Sequence, residues 1–293
     1  MGARHHHDDD EGDRAVVYFG SRSARPLALR LAAVRQHNAV SMGAAARPPY
    51  LEGAYLVPEK VGSFEEHPFC LPWVRDFDLT LSAAVTFVIG ENGSGKTTLV
   101  EALAVLAGLP ASGGSRNERG ANHGPKGDSP LAHALRPRFR KRPRDTYFFR
   151  GEFSAHFASL LDSRRSDPLF NGDPYARYGG GSLHSRSHGE GFLDVMVNRI
   201  GNGLYFLDEP EAALSPQRQL SLARVLYDRA HRSGSQFVIA THSPILMTYP
   251  DAELLQFEPA GGLRRVRLED TEHYSITRAV LQNAEAFWRH LRE

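Results

Sequence analysis

The sequence predicts an α/β fold with a mainly parallel central sheet. Short runs of apolar, β-branched and aromatic residues recur along the chain, at 85–89, 145–149, 204–207 and 236–240. Segments with helical patterns follow several of them, at 99–109, 192–199 and 215–232. Strands that alternate with helices favour parallel pairing, because each helix carries the chain back along the sheet.

Length and composition indicate a globular chain. Of its 293 residues, 41% are hydrophobic and 24% are charged, which is typical of a protein with a buried core. The sequence has no run of about eighteen apolar residues, the length that a membrane span requires. The net charge of +1 gives no global attraction for nucleic acid. A single cysteine excludes an internal disulfide. We expect no membrane insertion and a cytoplasmic location.

The first 46 residues differ from the rest. Three histidines and four acidic residues stand near the start, and from Ser21 to Leu51 there are arginines but no acidic residue. The histidines could chelate a metal, or the segment could be a solvated tail, a transit peptide or an unselected leader. We expect a poorly ordered leader over 1–46 and one folded domain over 47–293. A helical insertion is expected at about 110–200.

Two strand-like runs, 52–57 and 73–81, precede the first core strand and predict antiparallel pairing near the N-terminus. Phe64, Phe69 and Trp73 form an aromatic group in this region. One of these rings could stack on an adenine, although such rings are also common in cores.

A glycine-rich turn joins strand 85–89 to the helix that begins at Lys96. This turn has the spacing of a phosphate-binding P-loop, Gly90-x-x-x-x-Gly95-Lys96-Thr97. The glycines let backbone N–H groups point at phosphate oxygens. Lys96 would neutralise the β- and γ-phosphates, and the Thr97 hydroxyl would bind Mg²⁺. The residues predicted to bind nucleotide here are Gly90, Glu91, Asn92, Gly93, Ser94, Gly95, Lys96, Thr97 and Thr98.

Acidic residues and a histidine follow two later core strands. Asp208 and Glu209 end the strand 204–207, where Asp208 could hold Mg²⁺ and Glu209 could activate the attacking water. His242 follows the strand 236–240, where it could bind the γ-phosphate and position that water. We predict Glu209 and His242 as the catalytic residues.

Three further segments have open interpretations. Ser187-His-Gly-Glu-Gly191 precedes a helix and could bind a γ-phosphate from a second subunit. The loop from Glu211 to Ser215 could cross a dimer interface or simply lead into the next helix. The stretch 136–144 carries six basic residues in nine, and it could contact DNA or be a solvated loop.

Taken together and in this order, Gly90–Thr97, Ser187–Gly191, Asp208-Glu209-Pro210 and Thr241-His242-Ser243 resemble the ABC-type ATPases. The chain is most similar to stand-alone ATPases of the AAA-15/AAA-21 kind, which are related to the SMC, SbcC and RecF-like ATPases. The resemblance covers roughly 50–293. It implies a P-loop NTPase fold of the ABC type, with a mainly parallel central sheet, an N-terminal antiparallel subdomain and a small helical subdomain.

The same resemblance assigns further site residues. Ser187 and Gly189 match the serine and second glycine of the transporter LSGGQ signature, while His188 and Glu190 depart from it. The residues of this segment that are predicted to contact the nucleotide are Ser187, Gly189 and Glu190. ABC ATPases usually place a glutamine between the P-loop and the signature, but none occurs from Thr98 to Ser187. Glu152 is the expected occupant of that position, as a third metal-site residue beside Thr97 and Asp208.

The resemblance therefore implies ATP and Mg²⁺ as ligands, ATP hydrolysis, and a homodimer that forms around ATP. DNA maintenance or defence is the expected setting, with DNA or an unidentified effector protein as partner. The segment 98–186 is too short for the long coiled-coil arms of SMC-type proteins. The alternative is the nucleotide-binding subunit of an ABC transporter with a separate permease.

Overall fold

The computed structural model describes residues 48–116, 129–151, 165–166, 188–258 and 261–292. The leader over 1–46, Glu152, Ser187 and much of the helical insertion expected at about 110–200 lie outside these residues. The strands are β1 (Leu51–Leu56), β2 (Asp78–Thr80), β3 (Val85–Ile89), β4 (Leu135–Phe139), β5 (Asp145–Arg150), β6 (Gly203–Asp208), β7 (Gln236–Ala240), β8 (Glu253–Phe257) and β9 (Leu263–Val266). The helices are α1 (Lys96–Leu106), α2 (Pro130–Ala134), α3 (His188–Arg199), α4 (Pro216–Ser233), α5 (Pro244–Met247), α6 (Glu272–Gln282) and α7 (Ala284–Arg292).

The central sheet has six strands in the order β5-β6-β7-β3-β8-β9. All neighbouring pairs are parallel except β8 and β9. Every residue of β3, β6 and β7 is buried, which explains why these strands are continuous apolar runs without alternation. Because the three strands are adjacent and parallel, their carboxyl ends lie at one edge of the sheet. The predicted α/β fold with a mainly parallel central sheet is confirmed.

A second sheet has three antiparallel strands in the order β2-β1-β4. The side chain of Gln236, at the start of β7, joins it to the central sheet. Its Oε1 accepts hydrogen bonds from the backbone N–H groups of Tyr50 (2.7 Å) and Leu51 (2.9 Å), and its Nε2 donates to the Leu51 carbonyl (2.9 Å). Gln236 is fully buried, so one polar side chain satisfies three backbone groups at the junction of the sheets.

Helix α1 supplies the layer of the core that the two sheets share. It contacts β6 and β7 of the central sheet and β4 of the antiparallel sheet. Its residues Leu99, Val100 and Leu103 have no exposed surface. The burial of these side chains holds the start of α1, and therefore the loop before it, in a fixed position against the sheet.

Two sequence predictions about these sheets need correction. Residues 73–77 are not part of a strand, since Val74 and Phe77 donate backbone hydrogen bonds to residues three positions back, at 3.0 and 3.1 Å, and only Asp78–Thr80 pair with β1. The basic stretch 136–144 is not all loop, since β4 reaches Phe139. Arg138 on β4 donates to Asp78 Oδ1 (2.5 Å) and to the Leu79 carbonyl (2.6 Å), so its charge serves the antiparallel sheet.

The sequence predicts one C-terminal helix over 276–291, but this stretch contains parts of two helices, α6 and α7. Asn283 separates α6 from α7, with φ −148° and ψ 70°. Its side-chain Oδ1 accepts a hydrogen bond from the backbone N–H of Ala286 at 3.0 Å. An asparagine that caps the start of a new helix in this way competes with continuation of the first one.

Candidate active site

The phosphate-binding loop between β3 and α1 rests on the side chain of Trp73. The indole Nε1 donates a hydrogen bond to the Ser94 carbonyl at 2.9 Å. Gly95 has φ +99°, and a Cβ there would lie 2.9 Å from Trp73 Nε1 and 3.0 Å from Leu71 Cδ1. Position 95 therefore requires glycine for two reasons, the left-handed backbone and the close approach of Trp73.

Trp73 is not a candidate for adenine stacking. It is only 4% exposed, and its ring packs against those of Phe77 and Phe257, with centroid distances of 5.3 and 5.1 Å. Both its apolar surface and its donor are therefore used inside the protein. The role of this residue is to support the loop that Gly95 belongs to.

The side chain of Lys96 turns back into the concave side of the loop. Its Nζ donates to the carbonyls of Gly90 (3.0 Å) and Glu91 (2.9 Å). Burial lowers the pKa of Lys96, while the carboxylates of Glu209 and Asp208 act in the opposite direction. The ammonium group thus lies where the phosphates of a nucleotide bound to this loop would be.

Thr97 and Asp208 meet across the sheet edge. The Thr97 Oγ1 donates to Asp208 Oδ1 at 3.0 Å, and Asp208 is 6% exposed. A hydroxyl and a carboxylate side by side are hard oxygen ligands of the kind that Mg²⁺ takes. The described residues contain no group of three or more His, Cys, Asp or Glu side chains that could hold a metal. This donor set fits Mg²⁺ bound through one or two protein ligands together with substrate phosphates.

Arg150 is a residue that the sequence analysis did not single out. It ends β5 and pairs in register with Asp208 on β6. Its Nε lies 3.8 Å from Asp208 Oδ2, and its Nη1 donates to Glu101 Oε2 on α1 at 2.9 Å. Arg150 therefore links the predicted metal ligand to the helix that carries Thr97. The signal in the sequence was its place at the end of a core strand.

Glu209 occupies a strained backbone position. Its φ of 46° lies in the left-handed region, which is unfavourable for a residue with a side chain. The backbone N–H of Glu209 donates to the Ala240 carbonyl at 3.0 Å. A Cβ at Gly151 would lie 2.6 Å from the Glu209 carbonyl, so Gly151 leaves the room this turn needs. The side chain of Glu209 is 44% exposed and is thus accessible to a water molecule.

The ring of His242 lies between Glu209 and a second histidine. Its Nε2 is 3.7 Å from Glu209 Oε1, and its Nδ1 is 3.1 Å from Nε2 of His273 on α6. The backbone N–H of His242 donates to Glu211 Oε1 at 2.6 Å. Three side chains from two parts of the chain thus surround the histidine that follows β7.

Burial and the nearby charge of Lys96 lower the pKa of His242, against the opposing effect of Glu209. Burial raises the pKa of Glu211, although the hydrogen bond from the His242 N–H acts against it. The lowered pKa of His242 favours the neutral imidazole, which has one N–H donor and one acceptor.

The structure brings the P-loop, Asp208, Glu209 and His242 together, as the carboxyl ends of β3, β6 and β7 require. Of the other predicted site residues, Ser187 and Glu152 lie outside the described part of the chain, and Gly189 and Glu190 fall in the first turn of α3. The far end of α3 is held by Arg199, whose Nη1 donates to both Asp145 oxygens, at 2.8 and 2.9 Å.

Two family models match parts of the chain. Residues 152–248 match a family model described as "AAA domain, putative AbiEii toxin, Type IV TA system", and residues 59–153 match one described as "AAA domain". The two matches adjoin and cover the P-loop, the end of β6 and the end of β7. No curated protein matches the chain.

Solved structures are similar at low identity. The SMC head domain from Thermotoga maritima is 14% identical, with 75% of this chain and 100% of that chain covered and a TM-score of 0.42. The cbiO1 part of the ABC transporter complex cbiONQ from Clostridium perfringens is 16% identical, with 74% and 90% covered and a TM-score of 0.40. "An inward-facing conformation of a putative metal-chelate type ABC transporter" is 18% identical, with 67% and 76% covered and a TM-score of 0.42. Among the described residues, no helix is long and apolar enough to cross a membrane.

Proposed function

We propose that the chain is an ATPase in which two copies bind ATP between them and hydrolyse it there, a proposal that its matches to AAA domain models support. The observation that carries the proposal is the meeting of five side chains at one sheet edge. Lys96 lies inside the P-loop, Thr97 touches Asp208, and the carboxylate of Glu209 faces the ring of His242.

Each group has a role that follows from its place. Lys96 binds the β- and γ-phosphates, exchanging its two carbonyl partners for phosphate oxygens. Thr97 and Asp208 hold Mg²⁺, which when bound neutralises charge that develops on the phosphate oxygens. Trp73 keeps the backbone N–H groups of the loop aimed at the phosphates by fixing the Ser94 carbonyl.

Glu209 acts as the general base. Its exposed carboxylate takes a proton from a water molecule whose oxygen attacks the γ-phosphorus, while the bond from that phosphorus to the bridging oxygen of ADP breaks. His242 donates its Nε2–H to a γ-phosphate oxygen and so orients the transferred group. Glu209 Oε1 lies 3.7 Å from His242 Nε2, whereas Asp208 Oδ1 accepts from Thr97, so the two acids have separate tasks.

Dimerisation rests on the signature segment Ser187–Gly191. In a head-to-tail pair, the start of α3 of one copy would cap the γ-phosphate held by the P-loop of the other, because a helix N-terminus offers N–H groups to an anion. Glu190 and Gly189 would then contact the nucleotide together with Ser187. Glu152, next to Gly151, would stand near the metal in place of the glutamine that ABC ATPases usually carry.

A complementation assay tests both the chemistry and the shared site. Lys96→Ala removes the P-loop charge, and Ser187→Arg blocks the cap, so each variant alone should be inactive. In a mixed dimer one of the two sites keeps an intact P-loop and an intact cap. Equal mixing should restore about a quarter of the wild-type rate, since half of the random dimers are mixed and each has one good site. No gain over the separate variants would refute the shared site.

The Glu209→Gln variant tests the base. It should bind ATP, lose turnover and accumulate as an ATP-bound dimer, which light scattering detects. Unchanged turnover would remove Glu209 from the proposal. A variant that binds ATP but stays a monomer would contradict the proposed dimer.

We propose DNA as the partner that the ATPase cycle serves, with an effector protein as the outcome if DNA has no effect. The residues that support this are Arg140 and Lys141, which are exposed at the end of β4. The Arg140→Gln/Lys141→Gln variant should weaken salt-dependent DNA binding. Arg224→Gln/Arg232→Gln on α4 removes the same charge elsewhere and should not. ATPase activity that ignores DNA, with no binding at low salt, would refute the choice of DNA.

A further inference from the structure

His273 is outside every sequence motif of the site, yet its ring contacts the ring of His242. It lies in the first turn of α6, with its Nε2 3.1 Å from Nδ1 of His242. The ring centroids are 5.3 Å apart, so the contact is through the nitrogens and not through stacked faces. Thr271 fixes this turn, because its Oγ1 accepts from the Tyr274 N–H at 3.3 Å and donates to the Leu268 carbonyl at 2.7 Å.

The direction of this hydrogen bond follows from the other side of the His242 ring. Its Nε2 is buried, has no hydrogen-bond partner among the described residues, and faces the Glu209 carboxylate at 3.7 Å. A carboxylate there favours the tautomer with the proton on Nε2. Nδ1 of His242 is then the acceptor, and His273 must be the donor.

That tautomer is the one the reaction needs. A neutral imidazole has a single N–H, and only an Nε2–H can be donated to the γ-phosphate. The opposite tautomer would present a lone pair to the phosphate oxygens and repel them. The groups that face His242 are Lys96 and Glu91 of the P-loop, Glu209 and Glu211 of the loop after β6, and His273 of α6.

We propose that His273 is a positioning residue that donates a hydrogen bond to His242 Nδ1 and thereby keeps the proton on His242 Nε2, aimed at the γ-phosphate. Glu211 completes the arrangement by holding the backbone N–H of His242, so that the ring and its main chain are fixed separately. The inference rests on the proposed function, because it requires His242 to act on ATP.

The matched variants are His273→Gln, which keeps a side-chain N–H donor, and His273→Leu, which does not. His273→Leu should lower kcat about tenfold, the effect of one lost orienting hydrogen bond, with little change in KM for ATP. His273→Gln should recover most of that loss. Equal kcat for the two variants, at any level, would overturn the inference.

A double-mutant cycle separates positioning from a general structural role. In a His242→Ala background, His273→Leu should have no further effect on kcat, because it acts only through the missing ring. If His242→Ala itself keeps wild-type turnover, the proposed function of His242 fails. If His242→Ala is impaired and His273→Leu lowers kcat equally in both backgrounds, only the inference about His273 fails.

The tautomer can also be observed without turnover. Nitrogen NMR of histidine-labelled protein distinguishes protonated from unprotonated ring nitrogens, and comparison with His242→Ala assigns the signals. The wild type should show His242 protonated on Nε2, and His273→Leu should shift the population toward Nδ1. A wild-type His242 protonated on Nδ1 would overturn the inference.

Discussion

Replacing Gln236 with leucine should destabilise the protein strongly although the volume hardly changes. Gln236 is fully buried, and its amide makes hydrogen bonds of 2.7, 2.9 and 2.9 Å to the main chain of Tyr50 and Leu51. Each backbone group left buried without a partner costs about 1–3 kcal/mol. The variant leaves three such groups, so the expected loss is about 3–9 kcal/mol, a large part of the about 5–15 kcal/mol of a typical domain.

Urea denaturation, followed by tryptophan fluorescence and by circular dichroism, measures this change. Trp73 is buried where the antiparallel sheet joins the rest of the core, so its fluorescence reports on the junction. Gln282→Leu is the control, since Gln282 is exposed on α6 and the same substitution there should change stability by less than about 0.5 kcal/mol. A loss below about 1 kcal/mol for Gln236→Leu would refute the idea that this amide joins the sheets.

Three further outcomes are expected at the site. Gly95→Ala should weaken ATP binding at least about tenfold, as measured by calorimetry, because of backbone strain and collision with Trp73. Gly262→Ala is the control and should leave ATP binding unchanged, since Gly262 has a φ of +106° but no atom within 4 Å of the added Cβ. Glu211→Gln should raise the free energy of unfolding at pH 8, because burial raises the pKa of the Glu211 carboxyl and its ionised form therefore opposes folding. This gain in stability should shrink as the pH falls through the raised pKa, and a gain that grows on acidification would contradict the prediction. Thr97→Val should raise the Mg²⁺ concentration for half-maximal turnover more than about tenfold, with Mg²⁺-free ATP binding unchanged; an unchanged Mg²⁺ requirement would exclude Thr97 as a ligand.

The sequence predicted those parts of the site that are local. The P-loop needs only one strand, its glycines and the helix start at Lys96, and Asp208 and Glu209 directly follow a strand that is apolar throughout. Such signals lie within a few residues of one another, so a single sequence reveals them. Parallel pairing alone was enough to predict that the ends of β3, β6 and β7 lie at one edge of the sheet.

The parts that were missed depend on distant residues or on local competition. Nothing near His273 announces its contact with His242, which lies 31 positions away. The apolar spacing runs through Asn283 without interruption, and only its side-chain cap ends the helix there. Trp73 belongs to a residue type that is common in strands, but its indole donates a hydrogen bond to the P-loop instead. Tertiary contacts decide the cases of His273 and Trp73, and a local side-chain cap decides the case of Asn283.

The strand order has a consequence for how the molecule is made. In the central sheet, β3 pairs with β7 on one side and β8 on the other, and both follow it in the chain. The P-loop strand is therefore synthesised before either neighbour exists, and its apolar residues have no strand of this sheet to pair with while 90–235 are translated. A chain cut before β7 would leave that strand unpaired, so the nucleotide site cannot form until β7 and β8 have been synthesised.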